Sequence, residues 1–180
     1  QSPDLLSLYD DYGFMMMEEI PLNWWGRTNW GEVNMSLDIL NFAKPELRNM
    51  IARDKNHPCV IIWSVANECE TDREPGITVL RELIRLAKSL DTTRIVTFTV
   101  SRDPRKHLAF DETDIVCFNK YNGVNESRHI SDIDSLGYKQ TVEDLALYRN
   151  FYKNKPIIMA EYGCTSIKNI HGDVFFSEEF

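Results

Sequence analysis

An uninterrupted apolar run near the middle of the sequence constrains the fold of this chain more than any other feature. Residues 59–65 read Cys-Val-Ile-Ile-Trp-Ser-Val, and apolar and polar side chains do not alternate along them. A strand that is apolar on both faces is typical of parallel sheets that are covered by helices. Upstream, Asn56-His57-Pro58 ends a helical pattern before the run begins. We therefore expect a buried parallel strand here, inside an α/β fold.

The same alternation of apolar runs and helical patterns extends along the whole chain. Short apolar segments predict four further strands, at 14–17, 94–99, 115–118 and 156–160. Apolar residues at helical spacing predict helices that begin at Ser2-Pro3, at Lys44-Pro45, near 79 and near 142. No hairpin turn signal separates neighbouring strands, so the five strands are expected to form a parallel sheet.

Composition and charge argue against several classes of protein. With 43% hydrophobic and 11% aromatic residues, the 180-residue chain has enough apolar surface to fold. No stretch approaches the roughly 18 apolar residues that a transmembrane helix needs, and the first residues do not resemble a signal peptide. The net charge of -8 disfavours a nucleic-acid or anionic-membrane partner.

The cysteines and histidines predict neither a disulfide scaffold nor a metal site. The four cysteines form no C-x-x-C pair, and the four histidines show no ligand spacing. We expect buried, reduced thiols, which mildly favour a reducing compartment such as the cytoplasm. The chain also lacks a phosphate-binding loop and a dinucleotide motif, so no cofactor is predicted.

Polar residues follow four of the five predicted strands at their carboxyl ends. They are Glu18-Glu19, Asn67-Glu68, Asn119-Lys120-Tyr121 and Glu161-Tyr162. Ligands bind at this edge of parallel α/β folds, and a carboxylate beside a buried run is costly unless it is paired or used. Two carboxylates brought to one edge by separate strands suit the hydrolysis of a glycosidic bond.

Three segments resemble glycoside hydrolase family 2. Residues 53–68, which read Arg-Asp-Lys-Asn-His-Pro-Cys-Val-Ile-Ile-Trp-Ser-Val-Ala-Asn-Glu, are similar to its acid/base segment. Residues 155–163 are similar to its nucleophile segment, and residues 8–21 to the stretch around its third barrel strand. The resemblance implies a TIM (β/α)₈ barrel of which residues 1–180 supply approximately strands 3 to 7. Strands 1, 2 and 8 and the amino-terminal β-sandwich domains would then be absent, since such barrels need at least about 200 residues.

Two further segments resemble the β-glucuronidase branch of that family, namely residues 114–123 and 171–180. This resemblance implies a retaining enzyme that hydrolyses terminal β-D-glucuronides without a metal or cofactor, in a parent protein that is a homo-oligomer. A β-galactosidase or β-galacturonidase of the same family stays open as an alternative. So does a non-catalytic carbohydrate-binding or scaffold fragment, because we expect the chain alone to be inactive.

The resemblance also implies roles for individual residues. Glu68 would be the general acid and then the general base, and Glu161 the nucleophile. Glu68 would be protonated while Glu161 is ionised, with their carboxyl groups about 5–5.5 Å apart, as retention requires. Asn67 would bind the sugar 2-hydroxyl, and Tyr121 would donate a hydrogen bond to the nucleophile. Further candidates for substrate binding are Glu19, Trp25 and His171.

Several of these assignments have an equally good structural explanation. Trp24, Trp25 and Trp30 lie in a loop predicted for 23–33 and could either stack on a sugar or pack against protein. Glu18 replaces the family's usual aspartate, which leaves a site-supporting role and a structural salt bridge equally open. His171 could line the site or organise its own loop.

Overall fold

The fold consists of strands that alternate with helices, except that the third and fourth strands are connected by short helical turns. The structure is a computed structural model that describes residues 1–25, 38–101, 103–124 and 133–179. In chain order its helices and strands are α1 (Pro3–Tyr12), β1 (Met16–Glu19), α2 (Asp38–Asp54), β2 (Val60–Asn67), α3 (Gly76–Leu90), β3 (Ile95–Val100), β4 (Val116–Asn119), α4 (Tyr138–Phe151) and β5 (Ile157–Glu161). Short helical turns occupy Pro104–Lys106, Leu108–Asp111 and Ile133–Gly137. The predicted α/β class and all five predicted strands are confirmed.

The chain divides into two compact units, Gln1–Cys117 and Phe118–Phe180, with the boundary inside β4. In the first unit, β1 is parallel to β2 and β2 is parallel to β3. Sheet neighbours follow chain order from β1 to β5. A doubly wound sheet reverses its strand order at a switch point, whereas a (β/α)₈ barrel does not. The unreversed order therefore agrees with the predicted barrel segment.

The core of the first unit lies between β2 and α3. Trp63 in β2 is fully buried, and the strand is buried from Ile62 to Ala66. The buried face of α3 carries apolar residues at helical spacing, including Val79, Leu83 and Ala87. Burying each large aliphatic side chain contributes about 1.5–3 kcal/mol, so this face holds the helix against the sheet.

In the second unit, α4 packs against β4 through two aromatic rings. Phe118 and Tyr148 stack with their ring centroids 4.1 Å apart and their planes within 12°. Both side chains are fully buried. At the carboxyl ends of the strands, the Lys120 N–H donates to the carbonyl oxygen of Glu161 at 2.9 Å. This contact ties the segment after β4 to the end of β5.

Several element boundaries differ from the sequence-based prediction. β1 begins at Met16 rather than at Phe14, because Phe14 and Met15 are exposed and the strand continues through the two glutamates. α2 already includes Asp38 and runs through Pro45, which the sequence pattern placed at a helix start. Residues 26–33 of the predicted loop lie outside the described residues. None of the helices in the described ranges is both long enough and apolar enough to cross a membrane.

Candidate active site

The polar residues predicted for the sheet edge lie at the carboxyl ends of the strands. Glu19 is the last residue of β1, Asn67 of β2 and Glu161 of β5, and Glu68 follows Asn67 directly. The carboxyl ends of the strands therefore carry the residues that sequence analysis selected.

Glu68 adopts a backbone conformation that is rare for residues other than glycine. Its φ angle is 50°, in the left-handed region. This conformation costs an L-residue roughly 1–2 kcal/mol, so it persists only where neighbouring bonds impose it. One of these bonds runs from the Glu68 N–H to the carbonyl oxygen of Thr99 at the end of β3, at 2.9 Å. Residues held in this way cluster at functional sites.

The loop after β1 continues alongside β2 beyond the end of the strand. The Asn67 N–H donates to the carbonyl oxygen of Leu22 at 2.9 Å, and the Trp24 N–H donates to that of Asn67 at 3.0 Å. This pairing forms a parallel bridge between Asn23 and Asn67. The side chain of Asn67 is also held, because its amide nitrogen donates to Oδ1 of Asn23 at 3.0 Å.

Of the three tryptophans in the predicted loop, Trp24 contacts the candidate acid/base. Its indole Nε1 donates to Oε2 of Glu68 at 3.0 Å, and its own φ angle is 60°. Trp25 is half-buried, and its carbonyl oxygen accepts a hydrogen bond from the Glu70 N–H at 2.7 Å. Trp30 lies outside the described residues. The sequence did not indicate which tryptophan contacts Glu68.

The two glutamates at the end of β1 have different surroundings. Glu19 accepts a hydrogen bond at Oε2 from the hydroxyl of Ser64 at 2.5 Å. The Glu18 carboxylate is buried, and its Oε1 lies 3.6 Å from the guanidinium of Arg53. Burial raises the pKa of Glu18 above its ordinary value, and the negative charge of Asp54 acts in the same direction. Glu18 thus makes the ion pair that was one of its two predicted roles.

In the second unit, Tyr121 lies against the candidate nucleophile. Its hydroxyl donates to Oε2 of Glu161 at 2.5 Å, which is the contact that the family resemblance implied. Gly163, two residues after Glu161, has a φ angle of 108°. A side chain would be strained at that angle, so the turn after Glu161 depends on glycine.

A network on α4 supports the segment that carries Tyr121. The residues on either side of Tyr121 both reach Asp144: Nζ of Lys120 at 3.5 Å and the amide nitrogen of Asn122 at 3.0 Å. The Gly123 N–H donates to the side chain of Gln140 at 2.8 Å. Sequence reasoning missed Asp144, because nothing in the pattern of α4 distinguishes this carboxylate from other helical surface charges.

His171 lies in the segment after β5 and is exposed. Its Nδ1 is 2.9 Å from Oε1 of Glu179, whose Oε2 accepts the Gly172 N–H at 3.1 Å. The hydrogen bond with His171 lowers the pKa of Glu179 below its ordinary value. These contacts show that His171 organises its own loop, and its role in the substrate pocket stays a prediction.

One cluster among the described residues offers three potential metal ligands, Asp10, His57 and Cys59, whose ligand atoms lie within 4.8 Å of one another. Oδ1 of Asp10 accepts a hydrogen bond from the Cys59 N–H at 2.7 Å, and Oδ2 of Asp10 lies 2.6 Å from Nδ1 of His57. Burial raises the pKa of the Cys59 thiol to about 11, and that thiol donates to the carbonyl oxygen of Leu6. A metal would need the thiolate, so we interpret the cluster as a hydrogen-bonded junction between α1 and β2.

Comparison with known proteins gives a consistent set of relatives. The family model described as glycosyl hydrolases family 2, TIM barrel domain, matches residues 1–174. A β-glucuronidase of Mus musculus is 33% identical over 184 aligned positions, which cover 99% of this chain and 27% of the mouse protein. One of Paenibacillus borealis is 32% identical and covers 98% of this chain and 30% of its own length.

Solved structures show the same similarity at the level of the fold. The β-D-glucuronidase of Dictyoglomus thermophilum superimposes with a TM-score of 0.86 at 32% identity, covering 99% of this chain and 31% of that one. A β-glucuronidase of an uncultured Clostridium species gives a TM-score of 0.85 at 30% identity, and the match covers 98% of this chain and 30% of that one. The chain therefore spans less than a third of the length of these relatives.

Proposed function

Because the chain belongs to glycoside hydrolase family 2, we propose that it is the part of a retaining β-glucuronidase that carries both catalytic carboxylates. One observation carries the assignment of the two residues. Glu68 and Glu161 stand at the carboxyl ends of β2 and β5, and Oε2 of each accepts a hydrogen bond from an aromatic side chain. The similarity to several β-glucuronidases supports the choice of substrate.

In the proposed first step, the carboxylate of Glu161 attacks the anomeric carbon of the glucuronide. The bond from that carbon to the aglycone oxygen breaks, and Glu68 gives its proton to the departing oxygen. The products of this step are the free aglycone, an ester between the sugar and Glu161, and an ionised Glu68.

In the second step, a water molecule attacks the same carbon. The Glu68 carboxylate takes a proton from this water, and the ester bond to Glu161 breaks. Glucuronic acid leaves with its original anomeric configuration, and both glutamates return to their starting protonation states.

The remaining candidates act on the sugar in this proposal. Asn67 binds the 2-hydroxyl, where hydrogen bonds strengthen in the transition state. Tyr121 stabilises the ionised form of Glu161 and holds its rotamer. Glu19, Trp25 and His171 line the substrate pocket.

We also propose that the active enzyme is a longer polypeptide. The chain covers about 27% of the mouse relative, although the match includes 99% of the chain itself. It would supply strands 3 to 7 of the barrel, and the rest of the polypeptide would complete the substrate pocket and form the homo-oligomer.

The test is a side-by-side assay of the longest natural polypeptide that contains this chain. Aryl β-D-glucuronide, β-D-galactoside and β-D-galacturonide are compared by kcat/KM, and we expect the glucuronide to be the best substrate. Glu161→Gln is expected to lower kcat by about 10⁴-fold or more, and Glu68→Gln by about 10²–10⁴-fold.

Glu143→Gln is the matched control, because Glu143 is exposed on α4. Faster cleavage of the galactoside or galacturonide would overturn the choice of substrate. Turnover of none of the three glycosides would favour a carbohydrate-binding or scaffold role.

A further inference from the structure

The hydrogen bond between Trp24 and Glu68 joins residues 44 positions apart in the sequence. We propose that Trp24 is a positioning residue for the acid/base. In this proposal its indole N–H holds Oε2 of Glu68 in a fixed position. The inference rests on the proposed function, since it deepens the role assigned to Glu68.

The backbone around Trp24 is built to hold the indole beside Glu68. The Trp24 N–H donates a hydrogen bond to the carbonyl oxygen of Asn67, the residue that immediately precedes Glu68. The Asn67 N–H donates to the carbonyl oxygen of Leu22. Trp24 and Glu68 both have left-handed φ angles, 60° and 50°. Two strained residues that meet through their side chains indicate that neighbouring bonds impose this contact.

Exposure distinguishes Trp24 from a tryptophan that serves the core. Trp63 is fully buried, and its Nε1 donates to Asp91 inside the first unit. Within this chain Trp24 is 54% exposed, so packing against the described residues accounts for little of its position. Its polar contact is instead with a carboxylate at the ligand-binding edge of the sheet.

The chemistry of the indole suits this role. Its N–H is a donor only, so it can neither take the proton of Glu68 nor supply one in the reaction. A donor to a carboxyl oxygen stabilises the ionised form more than the neutral one. As Glu68 gives up its proton to the leaving group, the hydrogen bond strengthens and stabilises the charge that develops.

The dependence on the leaving group separates this role from simple packing. Trp24→Phe is expected to lose about tenfold in kcat/KM with poor leaving groups. It should lose much less with 2,4-dinitrophenyl glucuronide, whose leaving group needs little protonation.

The first experiment observes the hydrogen bond without requiring activity. Indole N–H resonances are recorded on the longest natural polypeptide labelled with [¹⁵N]tryptophan, and the resonance missing from Trp24→Phe is assigned to Trp24. We expect this resonance to move upfield in Glu68→Ala. The other indole resonances are internal controls. A Trp24 resonance that does not respond to the Glu68 substitution would overturn the proposal, whether or not the protein hydrolyses glucuronides.

The second experiment measures kcat/KM for a leaving-group series with the wild type and Trp24→Phe. Tyr12→Phe is the control, since Tyr12 is an exposed aromatic residue at the end of α1. An equal loss of kcat/KM for all leaving groups would show that Trp24 has only a structural role and would contradict the proposal. A wild type that cleaves no glucuronide would refute the proposed function instead. The resonance of Trp24 would then show by itself whether the hydrogen bond to Glu68 forms.

Discussion

At the scale of single residues, the two proposed catalytic carboxylates are held in the same way. Each accepts a hydrogen bond at Oε2 from an aromatic side chain, Glu68 from Trp24 and Glu161 from Tyr121. In both cases the donor belongs to the segment that follows the preceding strand of the sheet, β1 for Trp24 and β4 for Tyr121. Parallel strands in sequential order place each such segment beside the end of the next strand, so the topology itself produces this arrangement.

Removing the hydroxyl of Tyr121 tests the second of these contacts. Tyr121→Phe keeps the ring and deletes a 2.5 Å hydrogen bond to Glu161. A hydrogen bond to a charged group contributes about 1.5–3 kcal/mol, so kcat/KM on an aryl β-glucuronide is expected to fall roughly 10- to 100-fold. Tyr12→Phe is the matched substitution at an exposed position. A change in kcat/KM of less than twofold in Tyr121→Phe would contradict the role given to Tyr121.

The sequence indicated some of these residues and not others, for identifiable reasons. Glu68 and Glu161 directly end apolar runs, so their positions at the sheet edge followed from the strand pattern alone. The choice between Trp24 and Trp25 depends on the left-handed backbone of Trp24. That conformation is imposed by hydrogen bonds to a distant strand end, and no local sequence preference reveals it.

At the scale of elements, the sequence pattern predicts all five strands, but the strands begin and end at other residues than predicted. β1 extends to Glu19, two residues beyond the predicted end, because Glu18 is buried beside Arg53 rather than exposed to water. Charged residues normally mark the end of an apolar strand, but the ion pair with Arg53 offsets part of the cost of burying Glu18. Similarly, Pro45 suggested a helix start, yet the helix runs through it. A proline there removes one backbone donor, which flanking turns of a long helix can tolerate.

Asp91 connects three elements of the first unit. It follows α3 directly, accepts the indole N–H of Trp63 in β2 at 3.0 Å, and pairs with Arg94 just before β3 at 2.8 Å. Burial by itself raises the pKa of Asp91, but hydrogen bonds from Thr93, Trp63 and Arg94 outweigh it and hold the pKa below its ordinary value. The ionised form of Asp91 therefore contributes to stability above that ordinary value, 3.8, and the contribution is lost as the pH falls below it.

Asp91→Asn tests this account of how the elements are joined. At pH 7 the free energy of unfolding is expected to fall by about 3 kcal/mol, because the substitution leaves the largely buried Arg94 without its charged partner. The difference in free energy of unfolding between the variant and the wild type is expected to be smaller when urea unfolding is repeated near pH 3. Asp111→Asn is the control, since that carboxylate pairs with Arg81 but is mostly exposed. Equal decreases in the free energy of unfolding for the two variants at pH 7 would contradict the role of Asp91 in joining these elements.

At the scale of the whole molecule, the chain matches one family model over residues 1–174 but covers less than a third of its relatives. Large apolar side chains are exposed in both units, among them Met15 beside β1 and Tyr138 and Val142 on α4. Exposed apolar surface of this kind indicates a contact with another protein surface. We expect the remainder of the longer polypeptide to cover it. The family pattern in the sequence likewise predicts that the chain is a segment of a longer polypeptide.

The proposal that the active enzyme is a longer polypeptide leads to a prediction about the chain in isolation. The purified 180-residue polypeptide is expected to show no turnover of an aryl β-glucuronide, because in this proposal the rest of the longer polypeptide completes the substrate pocket. The longer natural polypeptide is expected to be active under the same conditions. Turnover by the 180-residue chain that Glu161→Gln abolishes would show instead that these residues suffice.

The central claim, that Glu161 forms a covalent bond to a glucuronyl group, can be measured directly. A 2-deoxy-2-fluoro-β-D-glucuronyl fluoride has a good leaving group, while its 2-fluorine slows both steps, so the intermediate accumulates on the longer polypeptide. After proteolysis, mass spectrometry is expected to find one fluoroglucuronyl group on the peptide that contains Glu161, and none on that peptide from Glu161→Gln. A label on another carboxylate, or no label on an enzyme that turns over glucuronides, would contradict the account.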